Sequence, residues 1–97
     1  MLIRSQDKKQ LLNLTTMEML NIQSEVEISK IEMFHSGIRT YIGNYTTEAK
    51  AIKVLDMIVS NYDSLNMYHN QPEQGWVFSV FQMPSDEIVK EGAIKDE

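Results

Sequence analysis

The spacing of apolar positions changes along the chain. Up to Thr46 it runs mainly in steps of two; between Thr46 and Tyr62 it runs in steps of three and four, and after Gly75 a short run is nearly continuously apolar. In TTEAKAIKVLDMIVSNY (46–62) a wheel centred on Ala51 gathers Ile52, Val54, Leu55, Ile58, Val59 and Tyr62 on one side. Lys50, Lys53, Asp56 and Ser60 fall on the other. The pattern predicts an amphipathic helix whose apolar side needs a sheet to cover it. Thr46 or Thr47 is placed to accept from a free N–H of the first turn, and Glu48 sits where the helix dipole favours an anion. Asn61 and Asp63 are the expected stop.

The flanking segments predict strands. LIRS (2–5) and QLLNL (10–14) read as a hairpin around the polar QDKK. MEMLNIQ (17–23) is partly apolar on both faces, which predicts cover on both sides or contact with another subunit. In EVEISKIEMFH (25–35) Val26 and Ile28 share one phase and Ile31 and Met33 the other, so a bulge, a break or two strands are expected, with Ser29-Lys30 as the place. Ser36-Gly37 reads as a two-residue turn with glycine where positive φ is wanted. Folding on it pairs His35 with Ile38, Met33 with Thr40 and Ile31 with Ile42. The Ile31/Met33/Ile42 face is assigned to the helix. Phe34, Glu32, Arg39 and Tyr41 then form a half-exposed face with a Glu32–Arg39 diagonal.

DSLNMYHNQPEQG (63–75) reads as a long loop, and WVFSVFQM (76–83) as a strand covered on both faces or meeting a partner, stopped by Pro84. The expected fold is α+β: a bent antiparallel sheet of five to six strands with one amphipathic helix packed on one face. Residues 1–84 form a single domain. Residues 85–97, with five acids against two lysines, are expected to be an acidic, frayed tail.

Composition narrows the function classes. Ninety-seven residues support one modest core. The absence of cysteine removes disulfides, thiolate catalysis and zinc–thiolate sites. The net charge of −5 argues against direct nucleic-acid binding, which needs clustered cations. No apolar run reaches the length of a membrane span, and MLIRSQDKKQ has no signal-peptide core, so a cytoplasmic protein is expected. The four glycines are isolated, with no phosphate-binding loop, and the two histidines, His35 and His69, lie on different segments with no metal-ligand spacing. Glu25 and Glu27 read as an exposed strand face rather than a catalytic carboxylate pair. No cofactor and no enzymatic activity is implied.

What remains is surface. Phe34, Arg39 and Tyr41 on the uncovered sheet face are candidate partner-binding residues. So are Met57, which the wheel puts on the polar side of the helix, Tyr68 and His69 in the loop, and Trp76 in the apolar run. An uncovered sheet face also predicts a homodimer. A different reading takes Arg4, Lys8 and Lys9 as an anion-binding cluster, for a protein that sequesters a small ligand such as a nucleotide signal.

Three segments, MLIRSQDKKQLLNL, IGNYTTEAKAIKVLDMI and VFQMP, together resemble short proteins carried by prophages and integrative elements of Gram-positive Firmicutes. The resemblance spans most of residues 1–84. It implies a setting, the cytoplasm of a bacterial host, and no catalytic residues. Accessory proteins of such elements often bind and occlude host proteins or counter host defences, anti-CRISPR proteins among them.

Overall fold

Two tight turns build the central layer. A computed structural model describes residues 1–69 and 80–90 of the chain. In it β3 (Met19–Glu25), β4 (Ile28–His35) and β5 (Ile38–Tyr45) follow one another as an antiparallel meander. Ser36 and Gly37 both have positive φ, 51° and 77°, which matches the right-handed twist of the strands they join. The register is the expected one from His35↔Ile38 to Glu32↔Tyr41. It then shifts: Ile31 pairs with Gly43, and Ile42 sits in a β-bulge. The phase change comes from two strands, one of the expected alternatives, but they divide at Val26-Glu27 and not at Ser29-Lys30. β3 and β4 are separate strands joined by a two-residue turn at Val26-Glu27, with Glu27 at a φ of 65°.

The second layer is assembled from distant segments. β1 (Leu2–Arg4) pairs antiparallel with β2 (Leu11–Asn13), as expected, and parallel with β6 (Val80–Gln82). The architecture is α+β, but in place of one bent sheet there are two three-stranded sheets, β2-β1-β6 and β3-β4-β5. Gln6 joins them. Its N–H donates to Ile42 O, and its side-chain amide both donates to Asn44 O and accepts from Asn44 N, extending the ladder of β5 in place of another strand. Of the expected strand at 76–83, residues 76–79 lie outside the described residues.

α1 (Glu48–His69) packs on the face of the meander that carries Ile31 and Met33. It continues past the expected stop at Tyr62. Asn61 and Asp63 cost only up to about 0.7 kcal/mol each relative to alanine, and the first glycine or proline beyond them is Pro72. Thr47 Oγ1 accepts from Lys50 N at the N-terminus. The helix buries Ala51, Val54 and Ile58, with Leu55 and Met57 partly covered; Ile52, Val59 and Tyr62 are exposed. The buried arc is therefore rotated toward Met57 relative to the expected wheel.

The chain after β6 explains that rotation. Val89, 5% exposed, joins the core, and Pro84, Ile88 and Val89 border a depression with Lys53 and Met57. The Asp86 carboxylate accepts from Thr46 N at 2.8 Å and from Thr46 Oγ1, and lies 3.5 Å from Lys50 Nζ. Residues 85–90, expected to begin the frayed tail, are thus held against the domain; 91–97 lie outside the described residues. Tyr45 is buried beneath, its hydroxyl donating to Pro84 O at 2.7 Å. Gly43 is a spatial necessity here, since a Cβ would come within 2.9 Å of the Tyr45 ring. One core results, shared by Ile3 and Phe81 of one sheet, Ile31, Met33 and Ile42 of the other, and the helix.

Candidate partner-binding face

Strand geometry puts alternate residues of the meander on opposite faces. The register lines up Met19, Phe34 and Arg39 across the face away from the helix, then Asn21, Glu32 and Tyr41, then Gln23 and Lys30. No described element covers these rows. Met19 and Tyr41 are 47% and 44% exposed.

Polar contacts order this face. Glu32 is only 3% exposed although it lies on the open side, because its neighbours close over it. Asn21 Nδ2 donates to Glu32 Oε2 at 2.8 Å, and Arg39 Nε lies 3.3 Å from Oε1. That second contact is an ion pair without hydrogen-bond alignment, so Oε1 has charge compensation but no directed donor. The Arg39 guanidinium lies 5.5 Å from the Phe34 ring centroid, and its Nη1 donates to Tyr41 OH. Tyr41 OH is within 3.5 Å of Gln23 Oε1, and Lys30 Nζ sits 5.1 Å from the Tyr41 ring centroid. The Tyr41 hydroxyl, and after it Glu32, push the Arg39 guanidinium above its already high range, so it stays cationic.

Each such contact contributes little. Exposed cation–π pairs are worth about 0.5–1 kcal/mol and surface ion pairs about 0–1. Their effect is to hold two aromatic rings and an arginine in fixed places. Large, pre-ordered aromatic and arginine side chains are the types that dominate binding energy at protein interfaces.

The sequence-derived candidates separate accordingly. Phe34, Arg39 and Tyr41 come together. Met57 does not join them: it packs against the core beside the 84–90 segment, so its expected exposure is corrected. The backbone of α1 reaches Tyr68 and His69, which are helical rather than in a loop. The side chains of Tyr68 and His69, and all of Trp76, lie outside the described residues. Arg4, Lys8 and Lys9 do converge, around a depression of about 290 Å³ shared with Gln10, Leu11 and Val80. Glu25 ends β3 and Glu27 is a turn residue, so the two do not share a strand face. Met19, Asn21, Gln23 and Lys30 were missed as members of the open face; their alternation in β3 and β4 carries the signal once the turn is placed at Val26-Glu27.

Among the described residues no group of three or more His, Asp or Glu is arranged to hold a metal ion, and no helix is long and apolar enough to cross a membrane. Comparison of the chain with family models, with curated proteins and with solved structures found no match in any of the three.

Proposed function

We propose that the chain is a non-enzymatic protein-interaction module that binds and occludes a host protein through the open face of the β3-β4-β5 sheet. The observation that carries this is the pre-ordered Phe34–Arg39–Tyr41 cluster on a sheet face that no described element covers. The mobile-element setting, and with it an anti-defence role in a bacterial cytoplasm, rests on the resemblance in sequence alone. The test is capture from lysates of Gram-positive hosts by tagged protein. A captured protein should be lost with Arg39→Glu and Tyr41→Asp and retained with Lys53→Glu on the helix. Equal capture by all three variants contradicts the reading.

A second reading is favoured by the convergence of Arg4, Lys8 and Lys9: this end of the molecule takes an anionic small ligand such as a nucleotide. Isothermal titration with nucleoside diphosphates and triphosphates tests it. Binding that weakens tenfold or more in Arg4→Ala/Lys8→Ala supports it, and no heat with any of them removes it.

A further inference from the structure

We infer that two copies of this chain pair through β3, antiparallel about a two-fold axis at Ile22, joining their meanders into one continuous six-stranded sheet. This goes beyond the proposed host-protein contact and does not depend on it.

The two edges of the meander differ. Along the later part of β5, Gln6 occupies the ladder groups of Ile42 and Asn44. Among the described residues nothing pairs with the outer edge of β3, which is seven residues long with no proline, no lysine and no bulge within it. Such an edge is a template for another strand. Glu25 and Ile28 close a two-residue turn, so the odd-numbered residues of β3 hydrogen-bond to β4. The N–H and C=O groups of Leu20, Ile22 and Ser24 therefore point outward.

The strand is complementary to itself. Only an axis at Ile22 overlaps all of 19–25. It sets Ile22 opposite Ile22, Leu20 opposite Ser24, Asn21 opposite Gln23 and Met19 opposite Glu25. No like charges face each other, and the two amide side chains meet on the same side.

The axis also pairs two features that are otherwise unexplained. Val26, at the hairpin tip, is 89% exposed. At the other end of β3 a mainly apolar groove of about 360 Å³ lies between the strand and the helix, lined by Leu14, Thr15, Met17, Leu20, Ile58, Val59 and Tyr62. Continuing the register past the strand ends brings Val26 of one copy beside Glu18 of the other, the neighbour in sequence of Met17, which lines that groove. The contact is made twice, as an isologous interface requires.

Sedimentation equilibrium of the full chain tests the pairing. The wild type is expected to be a dimer at micromolar concentration, and Val26→Asp, at an exposed turn, should weaken the dimer at least tenfold. Because the chain lacks cysteine, a single cysteine reports register without background. Opposed residues in a hydrogen-bonded pair have Cα atoms about 5.5 Å apart, within disulfide reach. Ile22→Cys should therefore form a disulfide dimer under mild oxidation. Ser24→Cys should not, its two copies being offset by roughly 13 Å along the strands. A monomer at high micromolar concentration overturns the inference. So does a dimer that survives Val26→Asp, or one that crosslinks through Ser24→Cys and not Ile22→Cys. A dimer lost in Tyr41→Asp but not in Val26→Asp overturns it as well, by moving the contact to the open face.

Discussion

The two faces of the β3-β4-β5 meander are made by alternate residues of the same strands, yet they are held by different physics. On the helix side Ile31 and Met33 are at most 1% exposed and join a core that includes Val54 and Ile58. On the open side Phe34, Arg39, Tyr41 and Lys30 are fixed by ring–cation contacts and a buried carboxylate, all of small net energy. One face supplies stability through area removed from water. The other has order without much stabilisation, so its side chains are open to change at low cost to the fold.

The sharpest way to break the comparison is to truncate the covered face. Ile31→Ala should cost about 2–5 kcal/mol, from lost burial and the cavity left behind, read by chemical denaturation. A loss within 0.5 kcal/mol would mean that the helix does not rest on this side.

Next in size is the clamp that sets the helix on that face. Ending the chain after Ser85 removes Val89 from the core and the Asp86 carboxylate from Thr46 and Lys50. About 2–4 kcal/mol should be lost. The thermal midpoint should fall accordingly; an unchanged midpoint would return residues 86–90 to the status of a free tail.

Tyr45 gives a smaller effect with a pH signature. Burial first, and then the charge of Asp86, push its phenol well above the usual tyrosine range. The folded state favours the neutral form, so this contribution is complete below the unfolded pKa of about 10 and is lost as pH rises beyond it toward the folded value. Tyr45→Phe should cost about 1 kcal/mol at neutral pH by removing the hydrogen bond to Pro84 O, and should flatten the alkaline fall in stability. An alkaline limb identical to the wild type would assign that fall to other groups.

How much of this was legible in sequence follows from contact distance. The Ser36-Gly37 turn, the register as far as Glu32↔Tyr41 and the two faces of the β4–β5 hairpin were readable, because period-two alternation and turn chemistry are local. The Phe34–Arg39–Tyr41 cluster followed from that register. The bulge at Ile42 was not readable: its carbonyl accepts from Gln6 N, a contact between distant segments that no local pattern marks. Nor was the parallel pairing of β1 with β6, whose strands lie more than seventy positions apart. The error in the helix wheel has the same origin. Val89 and Pro84 cover the side next to Met57, and Ile52 and Val59 are left exposed. A helix seen alone cannot show which flank a distant segment will cover.

The smallest expected change in stability lies on the open face. Lys30→Ala should shift unfolding free energy by no more than about 1 kcal/mol, since its contacts with the Tyr41 ring and the exposed Glu25 are individually weak. A loss as large as that of Ile31→Ala would erase the distinction between the faces.

The most direct measurement of the central claim, that the open face is a binding surface, is site-specific photo-crosslinking in bacterial cells that express the chain. A photoreactive amino acid replaces Tyr41 in one variant and Lys53 on the helix in another. The account predicts a discrete adduct with a cellular protein from position 41 and none of that mass from position 53. No adduct from 41, or the same adduct from both positions, would contradict it.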